Sequence, residues 1–138
     1  MTSEPIIPPP ESFGCARCYG KDADAAWAFL GDSQSRHRLV DTAHFDISIR
    51  PCPDCDQNYV WIFTEFIDWA GGDDPQYWNI LPLTQAETET FAVQGEDVDQ
   101  TQIRDLGSSR RYLVVNHPKG GPKSVFWGSG RLSITPGY

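Results

Sequence analysis

A chain of 138 residues with 39% hydrophobic content can bury one modest core, so one domain spanning residues 1–138 is expected. The net charge of -8 argues against nucleic acid as a general partner without excluding it, because phosphate is repelled by such a surface unless a basic patch stands apart. No run approaches the roughly 18 apolar residues of a membrane span, and the start MTSEPIIPPPES lacks the features of a signal peptide, so a soluble, cytoplasmic protein without a membrane partner is expected.

Eleven prolines and twelve glycines between strand-like runs predict a turn-rich fold. Residues 1–12 read as an extended proline-containing arm, since the prolines near Ile6–Pro10 fix the backbone angle and carry no amide donor. KDADAAWAFLG, Lys21 to Gly31, reads as a short helix with acids in its first turn and Trp27 and Leu30 on one face. A polar loop from Gly31 to Arg38 follows. His44 to Arg50 then alternates, with Phe45, Ile47 and Ile49 on one side, as a half-buried strand does. NYVWIFTEFIDW, residues 58–69, is apolar on both faces and belongs in the middle of a sheet. The turn AGGDDP joins it to YWNILPL as a hairpin.

Thr84 opens TQAE, a capping box in which the hydroxyl caps the helix start and Glu87 reaches back, so a helix over Gln85–Gln94 is predicted. A second short helix follows from Val98 to Leu106. Arg111–Val115, Ser124–Trp127 and Arg131–Thr135 then form three short strands of a meander. The fold class is α+β: a small antiparallel sheet with one or two helices and a four-cysteine zinc site.

The four cysteines stand in two pairs, Cys15-Ala-Arg-Cys18 and Cys52-Pro-Asp-Cys55. Cytoplasmic thiols are kept reduced, which favours metal ligation or redox work over structural disulfides. Two intervening residues let one tight turn present both thiolates to the same ion, and zinc takes four such ligands tetrahedrally. Four thiolates on a divalent ion leave a double negative charge, for which Arg17, Lys21 and Arg50 are placed as balancing cations. Through CARCYG and PCPDC the chain resembles four-cysteine zinc-knuckle proteins of the zinc-ribbon and rubredoxin-like kind. The resemblance implies two knuckle turns joined by strands around one structural zinc. Here 33 residues separate the knuckles, and Asp56 stands where the second knuckle often carries glycine.

Three other readings use the same residues. Iron fits the same four ligands. CPDC could be a thioredoxin-like dithiol, but DQNYVWIF after it reads as turn and strand, whereas a reactive cysteine usually opens a helix. A zinc deaminase would use His44 and Asp46 with PCPDC, but its chemistry needs His-x-Glu.

His37, His44 and His117 lack any paired metal or catalytic spacing. Asp68, Asp73 and Asp74 flank a GG turn, where carboxylate bonding to the turn amides explains them. KGGPKS reads as a hairpin turn rather than a phosphate loop. All 19 acids lie before position 106, and five of the 11 bases lie after it, as internal complementarity or as an interaction surface. Trp69, Tyr77 and Trp78 beside the acidic turn resemble the makings of a patch for a basic protein. The leading expectation is thus a non-enzymatic, acidic protein-binding module of inhibitor or immunity type. The alternative is a nucleic-acid-associated zinc-ribbon protein using Arg110, Arg111, Lys119, Lys123 and Arg131. A third is a small enzyme using His44 or Asp68.

Overall fold

The computed structural model describes residues 13–31 and 33–135; the proline-bearing arm therefore lies outside the described residues. The fold is α+β. Six antiparallel strands follow one another across the sheet in chain order: β1 (His37–Asp41), β2 (Phe45–Pro51), β3 (Asn58–Glu65), β4 (Gln76–Pro82), β5 (Tyr112–His117) and β6 (Ser124–Gly128). Helix α1 (Ala23–Leu30) precedes the sheet. Helix α2 (Gln85–Gln94), a 3-10 turn (Gly95–Asp97) and α3 (Gln100–Leu106) fill the connection from β4 to β5. Among the described residues no helix is long and apolar enough to cross a membrane.

The two-sided hydrophobicity of β3 explains the layering. Because successive side chains of a strand point to opposite faces, Val60 and Ile62 enter one core while Tyr59 and Trp61 enter the other. The first core adds Phe45, Ile47 and Ile49 of β2 and is closed by Phe91 of α2 and Ile103 of α3. On the opposite face, Ala26 and Leu30 of α1 pack with Ile80, Leu113, Val115 and the cysteine knuckles. Burial on both sides makes β3 central, as its sequence predicts.

Helix α2 begins where the capping box places it: Thr84 Oγ1 accepts from the Glu87 amide at 3.1 Å, and the Thr84 amide donates to Glu87 Oε1 at 2.8 Å. Three elements differ from the sequence reading by more than two residues or in kind. Strand β1 starts inside the expected polar loop, because its His37–Asp41 backbone pairs with Asp46–Ile49 although only Leu39 is buried. Strand β3 stops at Glu65, four residues early, because Asp68 Oδ1 accepts from the Ala70 and Gly71 amides at 3.2 and 2.9 Å and turns the chain. Arg131–Thr135 is not a strand. Its backbone bonds to α3 instead, Leu132 N donating to Arg104 O at 3.0 Å and the Arg104 guanidinium donating to Ile134 O at 2.8 Å, which seats Leu132 and Ile134 in the first core.

Candidate metal centre

Cys15 and Cys18 stand on the turn before α1, and Cys52 and Cys55 on the turn between β2 and β3. Backbone bonds close each turn: Tyr19 N to Cys15 O at 2.8 Å, and Asp56 N to Cys52 O at 3.0 Å. Asp56 takes φ of 65°, the left-handed conformation that glycine adopts freely and that Asp tolerates better than most residues. The β2–β3 pairing carries the second turn to the start of the central strand. Gln57 ties the two turns together, its Oε1 accepting from the Gly14 amide at 3.1 Å and its Nε2 donating to Leu83 O at 2.7 Å.

This brings all four predicted cysteines into one cluster, with every sulfur within 4.8 Å of the others. The separations are 3.6 Å for Cys15–Cys18, 3.9 Å for Cys15–Cys52 and 3.8 Å for Cys18–Cys55. A disulfide would need about 2.05 Å. Ligands about 2.3 Å from a tetrahedral zinc are about 3.8 Å apart, so the cluster has the dimensions of a four-thiolate metal site. Cys18 and Cys52 are buried, Cys15 is half-buried and Cys55 exposed. The donors around the sulfurs also fit anionic thiolates: the Cys15 amide to Cys18 Sγ at 3.3 Å, the Asp54 amide to Cys52 Sγ at 3.4 Å, and the buried Tyr59 hydroxyl to Cys18 Sγ at 3.0 Å.

Burial raises the pKa of Cys18 above its ordinary value, and raises Cys55 to about 11. Burial also opposes ionisation of Cys15, but the Cys18 and Arg17 amides and the neighbouring thiols outweigh it and bring Cys15 to about 7. Cys18 and Cys55 therefore resist ionising on their own near neutral pH. A divalent cation bound among the sulfurs would supply the positive charge that ionises them.

Two of the three expected balancing cations, Arg17 and Arg50, stack on aromatic rings. Arg17 lies over the Phe29 ring at 4.9 Å, and Arg50 lies over Trp61 at 4.5 Å while donating to Ser48 Oγ. The residue that holds the first knuckle is Arg111, which sequence reasoning treats only as part of a basic cluster. It lies between the Tyr19 and Trp127 rings, 4.1 and 4.3 Å from their centroids, and donates to the carbonyls of Tyr19 and Gly20. The knuckle carbonyls it bonds lie more than 90 positions away in sequence, so no local pattern announces it.

The other basic residues of the C-terminal section are likewise engaged within the fold. Arg110 pairs with Glu87, Lys119 with Asp68 and Arg131 with Asp105, and Lys123 sits over the Trp27 ring. Asp68, held by Lys119 and by the amides of its own turn, has its pKa lowered to about 2. His44 lies 3.4 Å from Glu65. Asp73 accepts from the Gly120 amide at 2.6 Å, and Asp74 from the Asp68 amide at 2.7 Å, so all three turn aspartates bond to turn amides. Of the three aromatics beside this turn, Trp69 is 86% exposed, whereas Tyr77 packs on Phe66 and Trp78 lies between Trp27 and Phe63.

Fold and site together define an α+β protein with a cluster of four cysteines that can hold a metal ion. Comparison with known proteins returns no match: no family model fits the chain, and no curated protein or solved structure is significantly similar to it.

Proposed function

We propose that the chain is a single zinc-stabilised domain in which Cys15, Cys18, Cys52 and Cys55 bind one structural zinc ion, and that it acts as a non-enzymatic protein-binding module. The tetrahedral spacing of the four sulfurs carries the metal reading. Four thiolates leave no open position for a substrate or water, which fits a structural role better than a catalytic one. The turn–strand context after Cys55 supports the same choice over a redox dithiol, because a helix N-terminus that would activate a thiolate does not follow it. Elemental analysis of gently purified protein tests the reading: one zinc per chain is expected, and iron in its place would correct the metal. A folded chain carrying neither would sink it.

The binding role rests on Trp69, a large apolar side chain standing in solvent on a loop that also carries Asp73 and Asp74. Tryptophan anchors dominate binding energy at many interfaces, and flanking carboxylates suit a basic protein partner. Internal pairing of the C-terminal basic residues favours this reading over nucleic acid. Native affinity purification compares the wild-type chain with Trp69→Ala. A basic protein retained by the first and lost by the second is expected. Retention of nucleic acid alone, or equal retention by both, would refute the protein-binding reading while leaving the zinc reading to its own test.

A further inference from the structure

On strands β3 to β5, the face of the sheet that packs against α2 and α3 is apolar near the knuckle end. Towards the opposite end it changes character. The cross-strand row Thr64, Tyr77, Asn116 and the adjoining row Asn79, Val114, Phe126 form the floor of a cleft of about 490 Å³. Residues 129–135 make its wall. Leu132 and Ile134 of this segment turn into the core, while Arg131, Ser133 and Thr135 line the cleft. Two bonds fix the wall to the floor: Thr64 Oγ1 donates to Thr135 O at 3.1 Å, and the Tyr112 hydroxyl donates to Ser129 O at 3.4 Å.

β4 is buried and apolar at Ile80 and Leu81, whereas Gln76–Asn79 are half-exposed. At this open end Asn79 of β4 and Asn116 of β5, both half-exposed, place carboxamides on the cleft floor. Their carboxamides, the Tyr77 hydroxyl and the Ser133 hydroxyl make no side-chain hydrogen bond to the described residues. Carboxamides and hydroxyls left without partners in a concave site are the groups by which a protein orients a small ligand.

The lining also defines the ligand. Among the described residues it contains no carboxylate and one cation, Arg131, which is paired with Asp105 at 2.9 Å, so an uncharged ligand is matched. Each carboxamide offers a donor and an acceptor side by side, a pattern that suits adjacent hydroxyls. Phe66 and Tyr77 meet edge to face at 65°, which gives a ledge rather than a parallel slot for a flat heteroaromatic ring. A wholly apolar ligand would strand the amides without water or partner, a costly outcome. We propose that this cleft binds a neutral carbohydrate, with Asn79, Asn116 and Ser133 bonding its hydroxyls and the aromatic side chains packing on its C–H face.

The test is an amide-resolved NMR titration of the full, metal-loaded chain with glucose, galactose, mannose, N-acetylglucosamine and their β-1,4-linked disaccharides at millimolar concentration. At least one sugar is expected to give saturable shifts centred on Thr64, Asn79, Asn116 and Ser133. Asn116→Ala should weaken that sugar about tenfold, the loss expected for a ligand hydrogen-bond pair. Ser133→Ala, outside the regular strands, provides the same comparison should Asn116→Ala fold poorly, with a smaller loss expected. Absence of saturable cleft shifts with every sugar, or unchanged affinity in the folded variants, would overturn the proposal.

Discussion

The Tyr59 hydroxyl donates to Cys18 Sγ at 3.0 Å inside the core between α1 and the sheet, where both residues are fully buried. One bond thereby links the central strand to the N-terminal knuckle. Burial and the adjacent Cys18 sulfur push the Tyr59 pKa far above its ordinary value, so the hydroxyl remains a donor throughout the physiological range. A donor to a metal-bound thiolate lowers the charge the sulfur presents and holds it in position.

Tyr59→Phe is therefore expected to keep the fold and weaken the metal. Removing a hydrogen bond to a charged sulfur costs about 1.5–3 kcal/mol. Competition with a chromophoric chelator should show metal affinity lowered about 10–100-fold. Unchanged affinity would show that the contact is packing alone.

Gly14 provides a sharper test of how closely the knuckle is built. It has φ of 63°, and a Cβ there would lie 2.7 Å from Cys18 Sγ and 2.8 Å from the Tyr59 oxygen. Gly120, in the β5–β6 turn, has φ of 70° but nothing within 4 Å of such a Cβ. Gly120→Ala should cost only the left-handed backbone term, about 1–2 kcal/mol. Gly14→Ala carries that term plus overpacking of about 1–3 kcal/mol, and should also lower metal affinity. Equal destabilisation in denaturant titrations, with metal affinity untouched, would contradict this geometry.

These residues show what the sequence could and could not convey. The cysteine spacing announced its cluster because each pair is local, and the same is true of Thr84 and Glu87, whose reciprocal bonds span three residues. Strand β3 was legible because a run apolar on both faces has few places to go. Strand β1 was not: an edge strand with one buried residue, Leu39, carries almost no periodicity. Arg131–Thr135 misled for a different reason. Its alternation is real, and Leu132 and Ile134 are buried, but the backbone partner is a helix rather than a strand. The cleft was missed because Thr64, Asn79, Asn116 and Ser133 converge only through cross-strand register.

Glu87 couples helix α2 to the sheet and predicts a pH dependence. Its two oxygens accept from the Arg110 guanidinium at 2.6 and 3.1 Å, with the side chains only 18% and 9% exposed. Burial opposes its ionisation, but Arg110 and the Thr84 amide prevail, and its pKa lies below the ordinary 4.5. A depressed carboxylate pKa stabilises the fold fully above its unfolded value, and the benefit disappears as pH falls through the folded value. Glu87→Gln should thus destabilise the protein at neutral pH by about 1–3 kcal/mol. The difference from wild type should shrink below about pH 4.5. Denaturation midpoints measured across that range decide the matter, and a constant difference would rule out the ion pair as the cause.

Arg111 predicts a failure of conservative substitution. A planar guanidinium can stack between Tyr19 and Trp127 while donating to two carbonyls of the first knuckle; an ammonium cannot do both. Arg111→Lys is expected to lose about 2 kcal/mol of stability, from bonds and stacking together. Lys123→Arg, over the single Trp27 ring, should change stability by less than about 0.5 kcal/mol. A tolerated Arg111→Lys would mean that charge alone holds the knuckle.

Metal removal should divide the molecule along its sheet. The core containing Phe13, Cys18, Tyr19, Cys52 and Tyr59 has both knuckles inside it, so losing the ion leaves crowded thiols where the knuckles meet. The core of Phe45, Ile47, Ile49, Phe91 and Ile103 on the other face contains no cysteine. Binding free energy at a structural metal is folding free energy for the part of the chain it closes. Chelation is therefore expected to speed amide exchange first in residues 13–31 and around 51–58, with α2 and α3 retaining protection until global unfolding. Cys18→Ser, at a buried position, should reproduce that pattern in the untreated protein. Simultaneous loss of protection on both faces would mean that the metal supports the entire fold as one cooperative unit, and unchanged exchange would mean that the cysteines do not hold it.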